Sequence, residues 1–259
     1  MSGTPPTARR VAVVTGGASG IGRAIAERLA ADGAAVVIGD IDVERGRKVA
    51  EGSHGMSFVA TDTTSPDDRS ALLASVEALH GRIDILVNSA GVQHVAPIHE
   101  FAPERWEYLV QVHLVAPAML IREVLPGMYA RGWGRIVNIA SINSLIAHPN
   151  KSAYVAAKHG LLGLTRAVAL EAGPQGVTVN AVCPAFVRTP LVERQIEDLA
   201  RTEGIPVEDV VSRVMTGPTA IRRLIEPAEV AAMVAYLCSD DAGAVTGSAQ
   251  LIDGGWTAR

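Results

Sequence analysis

The sequence predicts an α/β chain in which seven strands form one parallel sheet with helices on both faces. Three observations carry this. Short β-branched runs alternate with longer Ala/Leu-rich stretches of helical period, the pattern of consecutive βαβ units. The strand runs are apolar without alternation, as expected where helices cover both faces. The 259 residues contain no repeat, no low-complexity run and no Gly/Pro linker that would divide them, so a single domain over 1–259 is expected.

In order, Val11–Thr15 is a strand and Ile21–Ala31 a helix. Ala35–Gly39 is a strand and Val43–Ala50 a helix. Met56–Ala60 is a strand and Asp67–Leu79 a helix. Ile83–Val87 is a strand, followed by Pro103–Ala130 as one long helix or a broken pair. Arg135–Ala140 is a strand and Ser152–Ala172 a helix. Val177–Val182 is a strand, and after the helix Pro227–Cys238 the strand Ala249–Ile252 closes the series. Pro190 to Ile225 interrupts the alternation, with Leu191, Ile196 and Leu199, then Val207, Val210, Val211 and Val214, recurring at near-helical spacing. It reads as a helical surface excursion or as a lid over the carboxyl ends of the strands, where such sheets bind ligands.

Composition removes several function classes. Hydrophobic residues at 48% and charged residues at 19% exclude a disordered chain. A net charge of −4 argues against nucleic acid as the main partner, since phosphate binding needs a basic excess. Two cysteines, Cys183 and Cys238, make no disulfide framework, and a reducing cytoplasm is the simplest compartment. No uninterrupted apolar stretch has the length of a membrane span. Residues 1–10 read as a loose leader rather than a signal peptide. His94 and His99 share a loop but lack metal-ligand spacing, so no metal is expected.

Thr15-Gly16-Gly17-Ala18-Ser19-Gly20-Ile21-Gly22 ends a strand and opens a helix. Glycines there let the backbone turn tightly and approach a pyrophosphate, and the helix N-terminus offers unpaired N–H groups to the anion. Asp40 ends the second strand, with no Arg or Lys at Gly39 or Ile41. A carboxylate there can accept the adenosine ribose hydroxyls and would repel a 2′-phosphate, favouring NAD over NADP; it can equally cap the helix beginning near Asp42. Asp62, with Thr63 beside it, can bond the adenine amine or simply build the turn through Pro66. Asn88-Ser89-Ala90-Gly91 follows the fourth strand, with small residues that leave room for the cofactor.

Tyr154 and Lys158 sit at i and i+4 on one helix, hence on one face. An ammonium near a phenol favours the phenolate and makes tyrosine a usable acid/base near neutrality. Ser141 ends the fifth strand, on the ligand edge of the sheet, where its hydroxyl can hold a substrate oxygen.

The set Thr15-to-Gly22, Asn88-to-Gly91, Ser141, Tyr154-to-Lys158 and Pro184 resembles the short-chain dehydrogenase/reductase family, from Val11 to the C-terminus. The resemblance implies a Rossmann-type doubly wound sheet of seven parallel strands and hydride transfer to or from nicotinamide. Tyr154 would be the acid/base, Lys158 would hold the ribose and tune Tyr154, and Ser141 would orient the carbonyl. Gly16, Ser19, Gly20, Ile21, Gly22, Asp40, Asp62, Thr63, Asn88, Ala90, Gly91, Pro184, Val187 and Thr189 would line the cofactor with Tyr154 and Lys158. A homotetramer pairing long helices and the last strand is also implied.

Within the family, Lys151 to Gly160, Thr189 to Ile196 and the ending Asp253 to Ala258 look like bacterial D-3-hydroxybutyrate dehydrogenases. That likeness implies a small hydroxy- or oxo-acid substrate whose carboxylate is held by Gln93, Lys151 and Gln195; a cation and amide donors suit an anion. Taken singly, these three also read as ordinary surface polar groups. Four positions depart from the subfamily pattern. Asn143 stands where a His is usual, and its amide donates without charge. His113 stands where the family has an Asn holding a water in the proton relay; an imidazole can bond a water and shuttle protons, or merely fill a helix interface. Ala185 replaces the usual Gly after Pro184. Phe186 keeps an apolar wall for a methyl-bearing chain. The alternatives are another small hydroxy or oxo substrate, including a 3-oxoacyl thioester, or a dinucleotide-binding sensor without turnover.

Overall fold

The computed structural model describes residues 9–193 and 195–258. Strands β1 Val11–Thr15, β2 Ala35–Asp40, β3 Met56–Ala60, β4 Ile85–Asn88, β5 Gly134–Ile139, β6 Val177–Pro184 and β7 Ala249–Ile252 form one sheet in the order 3-2-1-4-5-6-7. All six pairings are parallel. Chain direction reverses its march across the sheet between β1 and β4, which opens a crevice at their carboxyl ends.

Helices α1 Gly20–Ala31, α2 Val43–Glu51 and α9 Pro227–Cys238 cover one face. Ala12 and Val14 of β1 pack there with Ile25, Leu29, Val49 and Val234. Helices α3 Pro66–His80, α5 Ala116–Arg131 and α6 Ser152–Ala172 cover the other, where Val11 and Val13 meet Leu72, Leu120, Ile121 and Val168. Alternate residues of one strand thus enter two cores, which is why the strands are apolar throughout.

Element positions follow the sequence reading with a few physical corrections. The fourth strand begins at Ile85 rather than Ile83, because Asp84 is fully buried and its carboxylate accepts the Val11 N–H at 2.9 Å and the Arg82 guanidinium at 2.6 Å. The long helical stretch is continuous over Pro103–Arg131, built from α4 Pro103–Val110, a π-helical turn at Gln111–Val115 and α5. By length and composition this stretch could cross a membrane, but Leu120, Ile121, Val124 and Met128 lie buried against the sheet, so it is a core helix. Residues 1–8 of the expected loose leader lie outside the described residues, and the two that follow are docked. Arg9 donates to the carbonyls of Gly33 and Ala34, and the Arg10 guanidinium stacks 3.6 Å from the Trp133 ring centroid.

The segment between β6 and α9 holds α7 Pro190–Glu193, α8 Ile196–Glu203 and a π turn at Val210–Met215. Val192, Leu199, Val210, Met215 and Leu224 form a small core of their own, while Val207 is exposed.

Candidate active site

Two adjoining cavities lie at the carboxyl ends of the central strands. The larger, about 290 Å³, runs from Asp40 and Asp62 to Ala90 and Thr189 along the glycine turn. The smaller, about 120 Å³, contains Ser141, Tyr154, Lys158 and Lys151, and shares Ile21, Gly91 and Thr189 with the first.

The glycine turn is shaped by close approach. A Cβ on Gly22 would lie 2.2 Å from the Gly16 carbonyl oxygen, and one on Gly16, at φ +68°, would lie 2.7 Å from the Ala90 Cα. Any side chain at either position forces the turn apart. Thr15 Oγ1 accepts from the N–H groups of Ser89 and Ala90 at 3.1 and 3.2 Å, closing β1 onto the loop after β4. Ser19 is the N-cap of α1, yet no side chain caps the first-turn N–H groups and no acidic residue sits among them. They are free for an anion at the positive end of the helix. At the far wall, Asp40 accepts the Ala18 N–H at 2.9 Å and the Asp42 N–H at 3.0 Å. It does not cap α2; Asp42 does, accepting from Arg45. These residues fit a dinucleotide. Gly16, Ser19, Gly20, Ile21, Gly22, Asp40, Asp62, Thr63, Ala90, Gly91 and Thr189 line the larger cavity, and Tyr154, Lys158, Pro184 and Val187 line the smaller.

One of the expected cofactor residues, Asn88, is placed differently, and Asp62 combines its two expected roles. The Asn88 side chain is buried and lines neither cavity. It donates to Asn138 at 2.8 Å, and Asn138 donates to Thr165 at 2.9 Å, so Asn88 bonds β4 to β5 and α6. As the last residue of β4, it turns its NH₂ along the sheet to Asn138, while among the described residues its own carboxamide oxygen has no partner. Asp62 lines the cavity but builds the turn as well, accepting from the Thr64 N–H and Oγ1 at 2.9 and 2.7 Å.

In the smaller cavity, Ser141 Oγ accepts the Asn143 N–H at 3.1 Å. Asn150 adopts φ 62°, a left-handed conformation that Asn tolerates, and its carbonyl accepts the Ala96 N–H at 2.9 Å. This kink delivers Lys151 as the N-cap of α6, with Tyr154 and Lys158 on the turns that follow. Lys158 donates to the Ile139 carbonyl at 2.7 Å, and its Nζ lies 5.5 Å from the Tyr154 ring centroid.

Burial works against the tuning expected of Lys158. Burial pushes the Tyr154 phenol up to about 12, with the Ser141 hydroxyl pulling the other way. Burial brings Lys158 down to about 7. Desolvation disfavours the charged form of both groups. The phenol is suited to donate in the reducing direction and the phenolate to accept in the oxidising one.

His113 occupies the π turn and is buried. Its Nε2 is 2.8 Å from the Val92 carbonyl, and its ring meets Tyr154 edge to face at 5.0 Å. Among the described residues Nδ1 has no partner. Burial, then the Lys158 charge, hold its pKa well below the ordinary histidine value. Burial thus favours the neutral ring against Tyr154, which can accept a hydrogen bond.

Gln93, Asn143, Lys151, Phe186 and Gln195 all line the smaller cavity. Gln93 Oε1 accepts from His94, leaving its NH₂ unengaged, whereas Gln195 already donates to the Leu191 carbonyl at 3.0 Å. The donor expected of Gln195 is therefore partly spent within the 190–225 segment. Lys151 is buried with its Nζ 5.3 Å from the Phe186 ring centroid, and burial lowers its pKa to about 8. Among the described residues it has no hydrogen-bond acceptor or ion-pair partner. Sequence reasoning passed over His148, which lines this cavity between Asn143 and Lys151; its position on the loop entering the Tyr154 helix was the available signal.

The family model described as enoyl-(acyl carrier protein) reductase matches residues 16–257. A D-beta-hydroxybutyrate dehydrogenase of Rhizobium meliloti is 45% identical, covering 96% of this chain and 99% of that protein. One of Cupriavidus necator is 40% identical over 96% and 98%. An actinorhodin polyketide ketoreductase variant solved with NADPH superposes with TM-score 0.92 at 37% identity, covering 96% of this chain and 97% of that one. The chain belongs to the short-chain dehydrogenase/reductase family of oxidoreductases, which bind a nicotinamide dinucleotide and act on small molecules.

Proposed function

We propose that this protein oxidises D-3-hydroxybutyrate to acetoacetate with NAD, and runs the reverse reaction. The observation that carries the proposal is a buried lysine, Lys151, without a hydrogen-bond acceptor or ion pair among the described residues, in the same small cavity as Ser141, Tyr154 and Lys158. A buried cation without a partner is costly, and a substrate carboxylate relieves that cost.

The dinucleotide would lie along Gly16–Gly22 with its ribose at Asp40 and its nicotinamide end toward Tyr154 and Lys158; when bound, it accepts or returns the hydride. Ser141 holds the substrate oxygen. As phenolate, Tyr154 takes the hydroxyl proton during oxidation; as phenol, it returns that proton to the carbonyl oxygen during reduction. Lys158 ties the Tyr154 helix to β5 through the Ile139 carbonyl and reaches the ribose. Lys151, with the free NH₂ groups of Gln93 and Asn143, holds the carboxylate. His113 is a positioning residue that fixes the Tyr154 ring. The 190–225 segment acts as the lid, with Leu191, Val192 and Gln195 over the cavity. We take the assembly to be a tetramer in the cytosol, in keeping with the family pattern and two free, buried cysteines.

A second reading, reduction of a 3-oxoacyl thioester with NADPH, is favoured by the ketoreductase solved with that cofactor. It leaves Lys151 without a counter-charge and sets Asp40 against a 2′-phosphate. Initial rates on 3-hydroxybutyrate, its methyl ester and acetoacetyl thioester, each with NAD and NADP, separate the two. The free acid with NAD is expected to give the highest kcat/KM. Asp40→Ser removes the repelling carboxylate and is expected to shrink the NAD preference about 10- to 100-fold, the worth of one or two ribose hydrogen bonds to a charged acceptor. Equal use of NADP by the wild type would contradict the role of Asp40.

A further inference from the structure

His148 is held from two sides. Its Nδ1 is 2.5 Å from the Asn143 carboxamide oxygen, and its ring meets Trp256 edge to face at 5.5 Å between centroids. Trp256 is itself fixed. Asp253 accepts from the N–H groups of Gly255 and Thr257 and from Thr257 Oγ1, which shapes the C-terminal turn, and the indole packs 5.9 Å from the Phe186 ring.

A hydrogen bond to the amide oxygen requires a proton on Nδ1. Burial, then the Lys151 charge, lower the pKa of this ring, so a second proton is disfavoured and the geometry selects the neutral Nδ1–H tautomer. A carboxamide has one acceptor end and one donor end. With its oxygen engaged by His148, the Asn143 NH₂ is the end left over, and among the described residues it has no acceptor. Turned over, the same amide would present its oxygen where an anion is to bind.

We propose that His148 is a positioning residue for substrate acids: as the Nδ1–H tautomer it fixes the Asn143 carboxamide so that its NH₂ joins Lys151 in facing a carboxylate. The inference deepens the hydroxy-acid reading and rests on it. It sets two donors side by side, the Lys151 ammonium and the Asn143 NH₂, which selects a free acid over an ester or a thioester.

Two measurements test it. Long-range proton–nitrogen correlation spectra of the full chain, with the His148 signals assigned by His148→Ala, read the tautomer directly. A neutral Nδ1–H ring at neutral pH is expected; an Nε2–H or doubly protonated ring overturns the proposal whatever the substrate is. Steady-state kinetics form the second arm. His148→Ala is expected to raise KM for 3-hydroxybutyrate about 5- to 10-fold, the worth of one oriented hydrogen bond, while kcat and the KM for the methyl ester stay within about twofold. His148→Asn places an NH₂ where Nδ1–H stood and is expected to recover most of the loss. An unchanged acid KM in His148→Ala, or equal losses on acid and ester, overturns the proposal. Wild-type protein that uses the ester and ignores the acid contradicts the hydroxy-acid reading itself.

Discussion

Tyr154→Phe is expected to lower kcat by about 10²- to 10⁴-fold, the range for removing a general acid/base, while NAD binding changes little. Only the phenolic oxygen is lost. The ring keeps its edge-to-face contact with His113 and its packing with Phe101, Leu109 and Ala153, so the fold is expected to hold. Lys158→Ala should damage both kcat and NAD affinity, because its ammonium ties α6 to β5 and, in the proposed mechanism, also holds the ribose. Steady-state kinetics with fluorescence titration of NAD separate the two variants. A Tyr154→Phe protein with near-normal kcat would move the acid/base role to another group.

Lys151→Ala is expected to raise KM for 3-hydroxybutyrate by about 10- to 150-fold, since a charge-assisted bond is worth roughly 1.5–3 kcal/mol, and to leave a neutral secondary alcohol unaffected. The pH dependence carries the same signature. Lys151 is held down to about 8 by burial, with Glu203 opposing the shift. Its ammonium is therefore present below that pH and lost above it. The wild-type KM for the acid should climb as pH passes about 8, toward about tenfold per pH unit, and the climb should vanish in Lys151→Ala. The sign for stability is opposite to that of a paired lysine. A depressed folded-state pKa means that the buried charge costs stability at neutral pH, a cost that fades as pH rises from about 8 toward the unfolded value of 10.5. Lys151→Met should therefore raise Tm at neutral pH by a few degrees while impairing acid binding. A lowered Tm in that variant, with acid KM unchanged, would make Lys151 a structural residue.

Much of the fold was legible because its signals are local. Val11–Thr15, Met56–Ala60, Ser152–Ala172, Pro227–Cys238 and Ala249–Ile252 fall where the sequence places them, since continuous apolar runs and helical periods need no knowledge of partners. The start of β4 was not legible, because a buried Asp84 inside an apolar run only makes sense once Val11 and Arg82 are beside it. The glycine turn, Asp40 and the Tyr154–Lys158 pair were readable for the same local reason. What failed depends on three-dimensional surroundings. Spacing shows that Lys158 faces Tyr154 but not that burial disfavours the charged form of both. Asn88 reads as a cofactor residue until its bond to Asn138 on the next strand is seen. His148 and Trp256 lie at opposite ends of the second half of the chain, and only the folded sheet edge brings their rings together.

The central claim is that hydride leaves C3 of a free hydroxy acid for NAD within the Ser141, Tyr154 and Lys151 cavity. It is tested most directly by incubating the full chain with NAD and D-3-hydroxybutyrate deuterated at C3, and following the label by mass spectrometry. The expected result is reduced nicotinamide carrying the deuterium, formed in equal amount with acetoacetate. Reduced nicotinamide formed from a neutral secondary alcohol, but none from the deuterated acid, would contradict it.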